Sequence, residues 1–341
     1  MIQKLNSKYK KIVVYPSVDE MTAIKNPYIN DFCLNLENQG INILNKNPKG
    51  NHLFSISPHV FTADVFIFHW LESVPTYKSG FFQYVYSLAL ITLLKLFGKE
   101  IIWFCHNKRN HSFNTKTEEF LSNHLLKLIK KKASFIFTHS KEGLEILDVY
   151  KEKTIYLMHP TKNRLVEKVF TNKFDLLIWG TISEYKGILE FLLEVKSNLH
   201  LQSLKIKIIG KCENNLLFNE ISKSLTKNVN FENRSVSFDE LKTLRSSIKF
   251  VLIPYKSETI LSSAILMDSL SFGFSVIGPN TGSFRELKEE TRVTVKTYSN
   301  FNEIPNLILN SNEISNYENF LEEYNWSNFT RKMLNEISKT N

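Results

Sequence analysis

At 341 residues, the chain has enough material for about two domains. It is 43% hydrophobic and 13% aromatic, which excludes a disordered chain, and its 3 cysteines are never in C-x-x-C spacing, which excludes a disulfide scaffold and a cysteine zinc site. The formal net charge of +9 sits entirely on the first half: residues 1–165 hold 22 Lys/Arg against 13 Asp/Glu, and residues 166–341 hold 21 against 21. Such a field attracts polyanions, meaning nucleic acid or an anionic membrane surface.

Short apolar runs alternate with helical patterns from the start. In the first half strands are expected at 12–15, 41–44, 65–69, 100–105, 134–138 and 155–157. Helices are expected between them at 27–39, 80–97, 116–132 and 141–150. Residues 80–94 (GFFQYVYSLALITLL) carry no charge. A spanning helix needs about 20 apolar residues, so this shorter run reads as a buried or interfacial helix. No signal-peptide apolar core stands in MIQKLNSKYKKIVVYP, and a reducing, cytoplasmic location is the expectation.

The second half repeats the rhythm. Strands are expected at 175–179, 205–209, 229–231, 250–253, 275–277 and 292–295, and helices at 186–196, 215–225, 238–246, 262–272 and 283–289. A final amphipathic helix fits 326–337. This alternation predicts an α/β fold of parallel sheets covered by helices on both faces. Residues 159–173 turn polar and lose periodicity, so they read as a linker between two Rossmann-like domains.

Several chemistries lack their motifs. No G-x-G-x-x-G follows Tyr15, and no Walker A sequence, G-x-S-x-G elbow or H-E-x-x-H occurs. His106 and His111 lie five apart in an expected loop, with Cys105 beside them but no carboxylate and no second cysteine to complete a metal site, so none is expected. Zinc-finger, RNP-like and arginine-rich signatures are also absent, so nucleic acid is not the expected partner.

Ligands of parallel sheets bind beyond the carboxyl ends of strands. After strand 175–179 comes GTISEYKG, with Gly180 for a sharp turn and Lys186 at an expected helix start; the alternative is a polar connection with a solvated lysine. Lys211 follows the next strand end at Gly210. Ser262, Ser263 and Ala264 open a helix, where they suit a phosphate or simply cap it. In the first half, His69 and His106 follow expected strands and read either as site groups or as packed structural histidines. Glu72 is the acid of its loop, a base or a capping residue; His111 lines the cleft or caps the next helix.

The stretch 251–287 resembles the donor-binding region of GT-B-fold glycosyltransferases, especially glycosyltransferase family 4 and its bacterial exopolysaccharide and capsule relatives. Ser271-Phe272-Gly273, Ser275-Val276-Ile277 and Gly282…Glu286 match that region's Gly turn, PVI-like strand and G-x-x-x-E. GTISEYKG resembles the G-R-x-x-x-x-K-G loop, with Lys186 as diphosphate clamp. Asn26-Pro27-Tyr28, His69-Trp70-Leu71-Glu72 and His106-Asn107…His111 resemble the N-P-Y, H-W-x-E and H-N-x-x-x-H signatures. The chain departs from the pattern in two places. Thr181 replaces the arginine, and the E-x7-E pair is absent: Asp268 aligns with its second Glu, Ile260 stands eight before, and Glu258 is two residues displaced.

The resemblance implies a GT-B architecture of two Rossmann-like domains facing across a cleft. Residues 1–160 would hold the acceptor, residues 174–325 the nucleotide-sugar, and helix 326–341 would cross back to the first domain. The implied enzyme is a metal-independent glycosyltransferase without cofactor, moving a sugar from a nucleoside-diphosphate sugar to a hydroxyl of a growing, lipid-linked bacterial surface glycan. Expected catalytic residues are His106, Glu72 and Asp268. Expected donor contacts are Gly180, Lys186, Lys211, Ser262, Ser263, Ala264 and Glu286, and expected acceptor-side residues are His69, Asn107 and His111. The basic half would dock on the inner face of the cytoplasmic membrane, in part through lysines of helix 116–132. A GT-B-fold nucleotide-sugar epimerase and a non-enzymatic nucleic-acid binder are the rival readings.

Overall fold

A computed structural model describes residues 9–19, 27–108, 113, 115–166, 171, 173–256, 260–309 and 316–339. Asn26, His111 and Glu258 therefore lie outside the described residues. The chain divides into two compact units, Met1–Met158 with Trp326–Asn341, and His159–Asn325.

The first unit is built on six parallel strands: β1 Lys11–Tyr15, β2 Asn42–Ile43, β3 Val65–His69, β4 Glu100–Cys105, β5 Phe135–Thr138 and β6 Thr154–Tyr156. Their order is β2-β1-β3-β4-β5-β6. β3 and β4 are near-continuous apolar runs because helices cover both faces of the sheet. Those helices are α1 Pro27–Glu37, α2 Gly80–Leu96, α3 Lys116–Lys132 and α4 Lys141–Ile146. Thr115 caps α3 by accepting from the Glu118 amide at 3.1 Å, which is why that boundary is legible in sequence.

The second unit carries β7 Phe174–Trp179, β8 Ile206–Ile209, β9 Val229–Glu232, β10 Ile248–Leu252, β11 Ser275–Pro279 and β12 Val295–Tyr298. All pair in parallel, in the order β12-β11-β10-β7-β8-β9. Around them lie α5 Ile188–Ser197, α6 Leu199–Gln202, α7 Asn215–Lys223, α8 Phe238–Leu244, α9 Ala264–Ser271, α10 Gly282–Lys288, α11 Ile304–Leu309 and α12 Tyr317–Glu323. The last helix, α13 Trp326–Lys339, belongs to the first unit. Its buried residues Trp326, Phe329, Met333, Leu334 and Ile337 repeat at helical spacing and join Phe32 and Leu36 of α1 in one core. Each such side chain contributes about 1.5–3 kcal/mol on burial.

Two expectations change. Residues 159–166 are not a free linker: the Thr161 amide donates to Tyr324 O at 2.9 Å and its hydroxyl to Met267 O at 3.0 Å. Polar residues there lack periodicity because they fasten the segment onto its unit. The strand expected at 292–295 instead begins at Val295, because Arg292 is committed to Glu290 and Glu323.

Candidate functional site

Each sheet has one point where the chain reverses its direction of winding, and loops leaving there open a crevice. In the first unit it lies between β1 and β3, and in the second between β7 and β10.

A cavity of about 280 Å³ occupies the first of these points, lined by Tyr15, His69, Trp70, Tyr77, Lys78 and Gln83 among others. His69 is the last residue of β3 and has no exposed surface. Its Nδ1 lies 2.9 Å from His106 Nε2, while its own Nε2 has no partner among the described residues. Burial above all, with His139 nearby, holds His69 well below the ordinary histidine value, so it is neutral. A buried ring nitrogen left unpaired is costly, and a ligand that bonded it would be favoured accordingly. Trp70 stacks on His106 with ring centroids 4.3 Å apart. It does so at φ +51°, a left-handed backbone that large residues rarely adopt.

Behind this pair lies His139, the residue after β5. Its Nδ1 donates to Leu157 O at 2.8 Å, which leaves Nε2 to accept from the Tyr28 hydroxyl at 2.9 Å. Tyr28 also meets His69 and His106 edge-on. His139 belongs to no motif named above. The signal that reveals it is positional: a histidine stands at the end of β3 and immediately after β4 and β5, on the same sheet edge.

Other expected residues fall elsewhere. Glu72 turns inward, 4% exposed, with Trp103 Nε1 at 3.4 Å from its carboxylate, and does not line the cavity. Its expected place as a base in an open loop is corrected: the short helical segment Leu71–Thr76 buries it. Asn107 is half-buried, with its carbonyl accepting from Cys105 Sγ at 3.5 Å.

Burial pushes Glu72 up from 4.5 to about 7. Between those values the native state holds a proton that the unfolded chain has released, so stability falls as pH rises through that window. Glu72→Gln should therefore gain on the parent progressively from pH 4.5 to 8, by about 3 kcal/mol at most. Denaturant melts across pH check this; parallel pH profiles would mean that the carboxylate is not desolvated.

In the second unit, the loop after β7 is held by glycine geometry. Gly180 has φ +95°, and a side chain there would meet Ile265 Cδ1 at 3.0 Å and Lys186 Nζ at 3.8 Å. Gly187 (φ +65°) packs directly on the Pro254 carbonyl beyond β10. Lys186 ends the short helical turn Glu184–Lys186, two residues before α5. It is only 7% exposed, and among the described residues its ammonium meets no acceptor within bonding distance. Burial lowers it from 10.5 to about 8. Gly180 thus has a desolvated cation on one side and the first turn of α9, through Ile265, on the other. Both favour an anion.

Ser263 caps α9, accepting from the Leu266 amide at 3.2 Å; Ala264 is its first helical residue, and Ser262 is half-buried before it. Lys211 is exposed at the end of β8, and Glu286 is half-buried on α10. Asp268 is not a free acid: Arg164 donates to its Oδ1 at 3.0 Å and to Ser271 Oγ at 2.9 Å, with Phe238 stacked against the guanidinium. This pair anchors the start of the unit on α9, so the acid expected to be catalytic stands paired with a guanidinium. A further cavity of about 360 Å³ lies on the outer side of the loop, lined by Ile182, Ser183, Glu184 and Lys256 together with residues of α5 and α7.

No protein-family model matches this sequence, and no curated protein matches it. Solved structures resemble it in fold. HepE of Anabaena, in complex with UDP and glucose, is 14% identical with a TM-score of 0.63, covering 97% of this chain and 100% of that one. Sucrose-phosphate synthase of Thermosynechococcus elongatus is 12% identical, with a TM-score of 0.60 and coverage of 97% and 94%. The lipopolysaccharide outer core galactosyltransferase WaaB is 11% identical, with a TM-score of 0.60 and coverage of 97% and 100%.

Proposed function

We propose that this chain, which has the two-domain α/β GT-B fold, moves a sugar from a nucleoside-diphosphate sugar onto a hydroxyl. The observation that carries this reading is Lys186, a buried lysine whose ammonium has no counter-ion among the described residues, at the winding reversal of the second unit. A departing nucleoside diphosphate develops negative charge, and a desolvated cation beside a helix start stabilises it where water cannot compete. Fold neighbours support the ligand class: HepE holds UDP and glucose, and S. aureus TarM holds UDP. With Lys186 and the first amides of α9 supplying positive charge, transfer is proposed to need no divalent ion. Gly180 and Glu286 belong to this donor site, and Lys211 to its rim.

The first unit takes the acceptor. With Nδ1–H donated to His106, His69 Nε2 carries a free lone pair for an acceptor hydroxyl, and His106 positions that ring. The acceptor class is a growing lipid-linked surface glycan, met at the cytoplasmic face of the membrane. The +9 surplus of residues 1–165 supports this, as does the likeness to a lipopolysaccharide galactosyltransferase.

Thermal stabilisation by a panel of nucleoside diphosphates and their sugars tests the reading. A ligand at 100 times its Kd adds about 2.7 kcal/mol and should raise Tm by several degrees. Turnover of the stabilising nucleotide-sugar should survive a chelator. No response to any nucleotide at millimolar concentration would end the proposal.

A further inference from the structure

In helix α2 composition and exposure disagree. It is apolar on every side, which in a globular protein normally means enclosure. Its inner residues, such as Ile91 and Leu94, are enclosed. Its outer ones are not: Phe82 is 73% exposed and Leu96 77%, with Phe81 and Val85 beside them. Phe61 and Phe97, edge to face at 4.8 Å, continue the surface past the C-terminal end. Single exposed apolar residues are ordinary, whereas a row spanning a helix of about 25 Å is not. No helix among the described residues is long and apolar enough to cross a membrane.

The charge around this row selects what covers it. From Ser73 to Lys99 the chain has three lysines and no acid. Helix α3 packs beside α2. From Phe120 to Lys132 it has four lysines and no acid. Lys99 reaches the carbonyls of Phe61 and Ala63 at 3.3 and 2.8 Å, which places its ammonium at the edge of the apolar row. A second copy of the chain would set these lysines against each other. An anionic bilayer offers hydrocarbon to the rings and phosphate to the lysines.

The row also leads to the cavity. Tyr77, Lys78 and Gln83 line the chamber that holds His69, and Phe81 and Phe82 lie between them in the chain. We infer that the outer face of α2 is a membrane-docking surface, seated in the headgroup region of an anionic bilayer, with the His69 cavity opening beside it. That this delivers a lipid-linked acceptor rests on the acceptor reading above; the docking itself does not.

The test is flotation of the full chain with phosphatidylglycerol-containing vesicles, against pure phosphatidylcholine vesicles, with no nucleotide present. The parent should float with the anionic vesicles alone. The triple variant Phe81→Gln, Phe82→Gln, Leu96→Gln alters exposed side chains, so it should keep its Tm and any nucleotide-induced stabilisation while losing at least tenfold in vesicle partition. Gln at Lys127, Lys130, Lys131 and Lys132 should weaken partition less than the triple variant does. Phe82→Trp should shift its emission to the blue on anionic vesicles, a readout independent of whether the triple variant folds. Parent protein that ignores anionic vesicles, equal partition by the triple variant, no blue shift, or cross-links between Phe82 positions of two copies would each overturn the proposal. Because the assay holds no nucleotide, these outcomes leave the donor-site reading standing. Vesicle binding with no nucleotide response would sink that reading alone.

Discussion

Lys186→Met should make the ligand-free protein more stable at pH 7 and weaken its stabilisation by nucleoside diphosphates. The two effects share one cause. Lys186 is a largely buried cation with no counter-charge among the described residues, and burial lowers it from 10.5 to about 8. That shift corresponds to about 3 kcal/mol of destabilisation at neutral pH, which an apolar side chain of similar length removes. Between pH 8 and 10.5 the unfolded chain holds a proton that the native state has released. Parent stability therefore rises through that window, and the advantage of the variant shrinks. Binding runs the other way, because a diphosphate needs the charged form, so parent affinity should fall as pH climbs past about 8. Losing a charge-assisted contact costs about 1.5–3 kcal/mol, or roughly 10- to 150-fold in affinity. Denaturant melts and titration calorimetry at several pH values check both halves. A variant that binds diphosphate as the parent does removes Lys186 from the site.

Gly187→Ala should destabilise the second unit by about 2–5 kcal/mol, summing left-handed strain and overpacking. At φ +65° an alanine is strained by its own Cβ, and that Cβ would fall on the Pro254 carbonyl oxygen. The loop cannot back away cheaply, because the Lys256 amide ties the segment beyond β10 to Tyr185 O at 3.1 Å. Trp179 is the tryptophan of this unit and reports its unfolding. Its emission midpoint should drop while hydrogen exchange in β3 and β4 stays unchanged. An unaltered midpoint would mean that the loop and the β10 end are not in contact.

The strand–helix alternation and most element bounds are legible in the sequence alone, because they rest on local physics. Apolar runs such as Val65–His69 need only period and length, and caps such as Thr115 mark where a helix begins. Gly180 announces a sharp turn, and the charge asymmetry is a count. What the sequence cannot carry is which way a side chain faces once distant segments meet. Glu72 reads as a loop acid, yet the Leu71–Thr76 segment turns it under Trp103. Asp268 reads as a catalytic acid, and only the fold shows it paired with Arg164, 104 residues away in sequence. The polar run after Met158 looks like a linker because its partners, Tyr324 and Met267, lie far along the chain. His69 meets His106, and His139 joins them through Tyr28, only because three parallel strands are laid side by side in register. Helix α2 is the converse case: its composition fits a buried or an interfacial helix, and only the folded surface reveals that its outer half is left uncovered. Local pattern determines the elements, whereas desolvation and pairing, which depend on every neighbour at once, decide which of their side chains can act.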